Sequence, residues 1–363
     1  MASINKYKTP TGELRYRVIW RDPSGKQKSK SFDRYKRAAD FMSKLEHELR
    51  EGSYVEPSRI TVRKFLDSWI EIHSANLQHK TIQGYKYNIG HINSVIGDKY
   101  LQVLTPGDIE MMYKALSKLS GKYLQEIHAT LSLALKHAVK TRLLNNNPCD
   151  VVDRPKRVKF QANFIEPADV EKYLDQFRNC WMFPAVALSL FCGLRRGELL
   201  ALRWEDIRFK SNEIFVRHSM EEQDGEKVLK SPKSGKMRIV PMAAGTTNII
   251  KQHRKKQIEL QLLLGEDYHE SNFVITEDNG TRPALSYLSR AFNRRIKRSG
   301  LPHVRLHDLR HTAASLMLLE GVDLKTVSEI LGHSSITITA DIYAHVFNES
   351  RKKAAESLEK YIK

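Results

Sequence analysis

The sequence predicts a multidomain protein that is mainly α-helical and contains small β-sheets. Its 363 residues are more than one hydrophobic core usually spans. Apolar residues recur at helical spacing through most of the chain, and strand patterns with turn signals occur in residues 15–32 and 214–242. We therefore expect three domains, at residues 1–57, 60–155 and 163–363.

The composition indicates a polyanionic partner. The formal net charge is +18 at pH 7 and the pI is about 9.6. Each Lys or Arg that neutralises a phosphate releases condensed counterions, so an excess of this size favours nucleic acid. An anionic membrane surface is the alternative, but no basic amphipathic anchor is evident. Apolar residues make up 41% of the chain, which argues against wholesale disorder.

Cysteine usage and the N-terminal residues favour a reducing compartment. The three cysteines form no CxxC pair, so neither a disulfide framework nor a zinc cluster is predicted. The N-terminal stretch has no apolar signal segment, and the apolar run 179–194 is short for a bilayer span. No GxxxxGK[ST] phosphate loop occurs in the sequence, so we do not expect ATP-driven work. We expect a cytoplasmic protein with no membrane contact, no cofactor and no metal.

The pattern of residues 1–57 predicts a small sheet backed by one helix. Residues 15–21 alternate between apolar and basic side chains, and a turn leads to a second strand at 26–32. The outer face of this sheet would be basic, which suits either DNA or a solvated charged surface. The residues that could contact DNA are Arg15, Arg17 and Arg21 on the first strand and Lys26, Lys28 and Lys30 on the second.

The middle of the chain, residues 60–155, is predicted to be helical and carries no evident chemistry. Thr105, Pro106 and Asp108 have the types and spacing of a helix N-terminus. Residues 122–144 form a long amphipathic segment, after which an Asn- and Pro-containing stretch and a basic linker follow.

The last predicted domain contains an arginine next to an apolar run. Arg195 directly follows the run 179–194, where a core helix should end. Glu198 is three residues further on and could hold the guanidinium in place. An ordinary ion pair at a helix terminus is the alternative reading of these two residues.

Two lysines lie in a predicted hairpin loop of the same domain. Residues 214–220, 227–230 and 237–242 are predicted as strands of one antiparallel sheet. The loop between the second and third strands carries Lys233 and Lys236. A lysine at a hairpin tip could protonate a leaving oxygen, although such tips are also simply hydrophilic.

Histidine, arginine and tyrosine side chains cluster towards the C-terminus. His307 and Arg310 share one helix face, and His333 follows a predicted helix end. The i, i+4 pair of His307 and His311 could suggest a metal, but no third ligand has usable spacing. Tyr343 is the isolated tyrosine of this region, and a tyrosine is more often a packing residue than a nucleophile.

Together these residue types suit phosphodiester chemistry. Guanidinium groups bind non-bridging oxygens bidentately and stabilise the charge of the transition state. A tyrosine that attacks phosphorus forms a covalent link, which preserves the bond energy for rejoining. Because the ordinary pKa of a phenol is about 10, nearby basic groups must help it lose its proton.

Three sequence boxes of the chain resemble those of the tyrosine recombinases in the phage-integrase family. "GLRRGELLALRWEDI" (193–207) resembles the family's first-arginine box, and "HDLRH" (307–311) resembles its H-x-x-R box. "LGHSSITITADIYAHV" (331–346) resembles its L-G-H…Y box. The order and separations of the boxes also match across residues 163–346.

The resemblance implies a role for each site residue. In this family two arginines bind the scissile phosphate, two histidines hydrogen-bond it and move protons, a lysine protonates the 5′ oxygen, and a tyrosine forms the 3′-phosphotyrosyl intermediate. The matching residues are Arg195 and Arg310, His307 and His333, Lys233 with Lys236 as its alternative, and Tyr343, with Glu198 supporting the first arginine.

The resemblance also implies domains, partners and a reaction. Residues 1–57 resemble an arm-binding module with a three-stranded sheet, residues 60–155 a helical SAM-like core-binding domain, and residues 163–363 an α+β catalytic domain. The implied partners are double-stranded DNA with core-type and arm-type attachment sites, a homo-tetramer on that DNA, a DNA-bending factor and an excisionase. The implied reaction passes through a Holliday junction and integrates or excises a prophage or a conjugative transposon.

Other functions remain open at this level. Resolution of replicon dimers keeps the same chemistry, and a nicking-closing topoisomerase shares the tyrosine nucleophile. A DNA-binding regulator would leave the catalytic residues unused. A metal-dependent transposase is least compatible, because no acidic triad stands out and the arginines and tyrosine would have no role.

Overall fold

The computed structural model describes residues 2–23, 25–156, 164–223, 225–231, 237–269, 272–333 and 335–343, with Ile338 and residues 341–343 described by their backbone alone. The chain divides into two compact units, Met1–Lys159 and Phe160–Lys363. The structure is mostly helical with small antiparallel sheets, so the predicted fold class is confirmed. The division into three domains stays a prediction.

The N-terminal part of the first unit is a three-stranded antiparallel sheet covered by a helix. Strands β1 (Ser3–Lys8), β2 (Leu14–Arg21) and β3 (Gln27–Phe32) lie in chain order, and helix α1 (Tyr35–Arg50) follows. The alternation in β2 directs Tyr16, Val18 and Trp20 to α1. The small core consists of Val18, Trp20, Ala38, Leu45 and Tyr54.

The register of this sheet corrects one sequence-based expectation. Lys28 and Lys30 of β3 pair with Trp20 and Val18, so they lie on the face that packs against α1. The Lys30 ammonium lies 4.8 Å from the centre of the Phe41 ring on that helix. The expectation that both strands contribute to one basic outer face is therefore wrong. The outer face carries Arg15, Arg17 and Arg21 of β2, whereas Lys26 lies in the turn before β3.

The rest of the first unit is helical. Its helices are α2 (Val62–His73), α3 (His79–Ile96), α4 (Pro106–Ala115) and α5 (Gly121–Lys140). The predicted start of α4 is confirmed, because the side chain of Thr105 accepts a hydrogen bond from the Asp108 N–H and Asp108 accepts one from the Thr105 N–H. Residues of all four helices form a second hydrophobic core, which includes Leu66, Ile92, Met112 and Leu131.

The second unit is built around helix α7 (Phe183–Cys192), which is buried on nearly all sides. Its core is centred on residues such as Phe177, Leu188, Leu199 and Phe292. The other described helices are α6 (Val170–Asp175), α8 (Arg196–Ala201), α9 (Ala244–Leu264), α10 (Leu285–Ser299), α11 (Leu306–Leu319), α12 (Leu324–Leu331) and α13 (Ile336–Tyr343).

The strands of the second unit form two sheets, where one was expected. Strands β4 (Ile207–Arg208), β5 (Glu213–Val216) and β8 (Arg238–Pro241) form one sheet, and β6 (Ser219–Gln223) and β7 (Glu226–Lys230) form a separate hairpin. The segment predicted as a single strand breaks after β5, because β6 turns away to pack on α8. As a result β8 pairs with β5 and not with β7.

None of the helices in the described part of the chain is both long and apolar enough to cross a bilayer. The cytoplasmic location stays a prediction. All three cysteines are free thiols.

Candidate active site

The first predicted arginine lies in the tight connection between α7 and α8. Helix α7 ends at Gly193, which has a φ of 64°. A Cβ at this position would lie 2.4 Å from Leu331 Cδ2, so a larger residue would force that side chain to shift and would be strained at this φ. Arg195 follows as the N-cap of α8 and is 23% exposed at its side chain.

Glu198 holds Arg195 through both its backbone and its side chain. The Arg195 N–H donates to Glu198 Oε2 at 2.8 Å, and Arg195 Nη1 donates to Oε1 at 2.9 Å. The Glu198 side chain is 1% exposed. Burial alone would raise the pKa of Glu198, but hydrogen bonds and charge from Arg238, and then Arg195, lower it to about 2. Glu198 is therefore a carboxylate at neutral pH.

Arg238 is a residue of this site that the sequence analysis missed. It donates from Nη1 to Glu198 Oε1 at 2.8 Å and from Nη2 to Oε2 at 2.7 Å. Its side chain is 9% exposed. The signal was present in the sequence, since Arg238 and the buried Val240 are two residues apart on β8 and therefore share its core-facing side.

Arg310 lies on α11, where it is 2% exposed. Its Nη1 donates to the Gly193 carbonyl and its Nη2 to the Leu331 carbonyl, each at 2.6 Å. These carbonyls belong to the C-terminal ends of α7 and α12. Such ends have carbonyls without intrahelical partners and carry negative partial charge, so a guanidinium is stabilised there.

The C-terminus of α12 binds three arginines in succession. The Ile330 carbonyl accepts from Arg238 Nε at 2.8 Å, and the Gly332 carbonyl accepts from Arg195 Nη2 at 2.8 Å. The intervening Leu331 carbonyl accepts from Arg310. Three consecutive carbonyls thus bring together arginines from α8, β8 and α11.

Both predicted histidines are in the same electrostatic surroundings. Burial, followed by the charges of Arg310 and Arg195, lowers the pKa of His333 to about 3. Desolvation of the ring by the surrounding protein, and then the charges of His311 and Arg310, lower the pKa of His307 to about 4, although the residue is partly exposed to solvent. The His333 Nδ1 lies 2.7 Å from Thr339 Oγ1. Both imidazoles are therefore neutral at pH 7.

The remaining predicted site residues are described less fully. Lys233 and Lys236 fall within residues 232–236, which lie outside the described residues. Tyr343 is the last residue of α13, and its side chain lies outside the described part. Among the described residues, no group of three His, Cys, Asp or Glu side chains could hold a metal ion.

The structure therefore brings together Arg195, Glu198, His307, Arg310 and His333 of the predicted set and adds Arg238. The sequence profile of the phage integrase family matches residues 163–350. The chain belongs to the phage integrase family. The profile of the phage integrase N-terminal SAM-like domain matches residues 61–117.

Relatives and solved structures of this family are similar over most of the chain. The tyrosine recombinase XerC-like protein of Caldanaerobacter subterraneus subsp. tengcongensis is 29% identical over 99% of each chain. The ICEBs1 integrase of Bacillus subtilis is 28% identical over 89% of each chain. The Tn1549 transposon integrase in complex with circular intermediate DNA has a TM-score of 0.72 at 22% identity, over 82% of this chain and 99% of that one.

A lambda integrase tetramer bound to a Holliday junction shares the fold with a TM-score of 0.62 at 21% identity, over 92% of this chain and 96% of that one. As a phage-integrase family member, the protein is a tyrosine recombinase, an enzyme that cleaves and rejoins DNA through a tyrosine nucleophile. The predicted family and enzyme class are confirmed.

Proposed function

We propose that this tyrosine recombinase is site-specific and integrates and excises a mobile element. Relatives named ICEBs1 integrase and Tn1549 transposon integrase support a mobile-element role. The predicted arm-binding module at residues 1–57 supports it as well, because such a module distinguishes integrases from the shorter chromosome-dimer resolvases.

The observation that carries the proposal is the attachment of Arg195 and Arg310 to adjacent carbonyls of α12. Two guanidinium groups held next to each other can bind the two non-bridging oxygens of one phosphate and stabilise its charge as phosphorus becomes pentacoordinate. Because Arg310 is 2% exposed, the groups that cover it must move when DNA binds.

The neutral histidines supply hydrogen bonds and proton transfer in this proposal. A neutral imidazole donates from one nitrogen and accepts at the other. His307 and His333 can therefore hydrogen-bond the phosphate without adding charge and can accept the proton of the attacking hydroxyl.

In the chemical step, one phosphorus–oxygen bond forms while another breaks. Tyr343 Oη attacks phosphorus while the bond to the 5′ oxygen breaks, and Lys233 or Lys236 protonates that oxygen. Attack by the 5′ hydroxyl of the partner strand on the 3′-phosphotyrosyl link releases Tyr343. Four strands exchange in pairs through a Holliday junction, and no step requires ATP or an obligatory metal.

The proposed partners follow from charge and relatives. The net charge of +18 suits double-stranded DNA with core-type and arm-type attachment sites. A homo-tetramer on DNA is supported by the lambda integrase tetramer bound to a Holliday junction. A DNA-bending factor and an excisionase would set the direction of recombination.

A covalent-trapping assay tests the proposed chemistry. Nicked duplexes covering the DNA that flanks the gene are incubated with the wild type or with Tyr343→Phe, in EDTA, and run on denaturing gels. We expect a protein–DNA band with the wild type alone, because the Phe variant lacks the nucleophile and still binds DNA in native gels.

Two results would contradict the proposal. A covalent band of equal intensity with Tyr343→Phe would exclude Tyr343 as the nucleophile. Relaxation of supercoiled plasmids irrespective of their sequence, without recombination between flanking fragments, would indicate a topoisomerase.

A further inference from the structure

Arg238 and Arg195 share one buried carboxylate. Glu198 accepts two hydrogen bonds from the Nη groups of Arg238 and two from the backbone N–H and Nη1 of Arg195. A carboxylate offers about four lone-pair positions, so these four bonds saturate it. Glu198 therefore has one orientation, which both arginines determine.

The position of Arg238 is constrained from a second side. Its Nε donates to the Ile330 carbonyl, next to the carbonyls that hold Arg310 and Arg195. Gly332 packs directly on it, since a Cβ at Gly332 would lie 2.9 Å from Arg238 Cδ. The fork of Arg238 thus connects the acid of α8 to the end of α12.

The charges of the cluster indicate what Arg238 does. Arg195, Glu198 and Arg238 together carry one net positive charge at neutral pH. Without Arg238, Glu198 would neutralise Arg195 alone, and the Arg195 guanidinium could turn into a bidentate pair with it. The N–H groups of Arg195 that point away from Glu198 would then no longer be available to bind a phosphate.

We propose that Arg238 is a positioning residue for strand cleavage, which occupies Glu198 so that Arg195 keeps its charge and its outward N–H groups for the scissile phosphate. This inference rests on the proposed function of Arg195. Arg238 itself does not touch the reacting atoms; it acts through Glu198 and the α12 carbonyls.

A different route of action is testable as well. Arg238 begins β8 two residues after Lys236, and residues 232–236 carry both Lys233 and Lys236. Arg238 could therefore act by anchoring residues 232–236, the lysine loop. A duplex with sulfur in place of the bridging 5′ oxygen separates the two routes, because a thiolate leaves without a proton and does not need the lysine.

The experiment measures single-turnover formation of the covalent product on the duplex that the wild type cleaves. We expect Arg238→Met to slow cleavage by about 10- to 100-fold, by analogy with the loss of residues that orient metal ligands, with duplex binding in native gels unchanged. The sulfur substrate should not restore the rate. Arg195→Ala combined with Arg238→Met should be no slower than Arg195→Ala alone.

Arg217→Met is the matched control. Arg217 lies in the same unit and pairs with a different buried carboxylate: its Nη1 is 3.6 Å from Asp206 Oδ1, whereas Glu198 pairs with Arg195 and Arg238. The Arg217→Met variant should cleave DNA at the wild-type rate. If Arg238→Met does not fold, Arg238→Lys provides the same test, because it keeps the charge and loses the fork.

Three outcomes would overturn the inference. Wild-type cleavage by Arg238→Met and Arg238→Lys would show that the fork has no role. Full recovery on the sulfur substrate would assign Arg238 to the lysine loop. A double variant slower than Arg195→Ala by the whole Arg238→Met factor would show independent action. Absence of covalent product with the wild type on every flanking duplex would instead contradict the proposed function, on which this inference rests.

Discussion

Single residues of the site are tuned by buried charge. Glu198 stays ionised because the guanidinium groups of Arg238 and Arg195 surround it. His333 stays neutral because burial, and then the charges of Arg310 and Arg195, oppose a further positive charge. Sequence reasoning identified both residues from their boxes. It could not give their protonation states, because these depend on Arg238 and Arg310, which are distant from them in the chain.

His333 makes stability depend on pH in a defined window. In the folded protein burial, and then Arg310 and Arg195, lower the pKa of His333 to about 3, from an ordinary value of about 6.5 in the unfolded chain. Between these values the unfolded state binds more protons, so the free energy of unfolding falls as the pH falls from about 6.5 towards 3. We expect His333→Asn to flatten this dependence.

Urea unfolding of the wild type and His333→Asn at several pH values from 7 to about 4 measures the difference. His311 and Arg238 also face His333, and they remain in the variant. An identical pH dependence in the two proteins would show that His333 is not held neutral by the fold.

Among the elements, the short helices α8 and α12 hold the site together. Both ends of α12 have local signals: Asp323 accepts hydrogen bonds from the Lys325 and Thr326 N–H groups, and Gly332 ends the helix with a φ of 63°. Local signals were sufficient for these ends, because capping depends on a few neighbouring residues. That the carbonyls of α12 face three arginines could not be predicted locally.

The contact between α8 and β6 gives a prediction at the same scale. A Cβ at Gly197 would lie 2.7 Å from the Met220 carbonyl oxygen, which is backbone and cannot move aside easily. We expect Gly197→Ala to lower the free energy of unfolding by about 1–3 kcal/mol and to slow cleavage, because α8 carries Glu198.

Gly245→Ala is the matched control, since a Cβ at Gly245 in α9 would meet no atom within 4 Å. Without a steric clash, alanine should leave stability unchanged or raise it by up to about 1 kcal/mol. Thermal and urea unfolding of both variants measure the difference. Equal stabilities for the two would mean that α8 and β6 do not pack this closely.

For the whole molecule, the excess of basic residues should dominate DNA binding. If the protein neutralises about 6–10 phosphates, its affinity for duplex DNA should fall by about 10³- to 10⁵-fold between 50 and 200 mM salt. Fluorescence anisotropy at several salt concentrations measures this. An affinity that does not change with salt would contradict a phosphate-based interface.

The sheet register of the N-terminal module refines that prediction. Arg17 lies on the outer face, whereas Lys30 lies over Phe41 on the face of α1. Arg17→Ala should therefore reduce the salt slope by about 1, and Lys30→Ala should leave it unchanged. The reverse result would place the DNA on the other face of the sheet.

The sequence by itself determined the family, the reaction class and the mainly helical fold. Its boxes contain the rare combination of arginines, histidines and a tyrosine in a defined order, and helix signals are local. Only the tertiary structure decided which face of the N-terminal sheet carries the lysines, how β8 pairs, and that Arg238 shares Glu198 with Arg195. Strand pairing and buried ion pairs join residues far apart in the chain, so neither periodicity nor motif spacing encodes them.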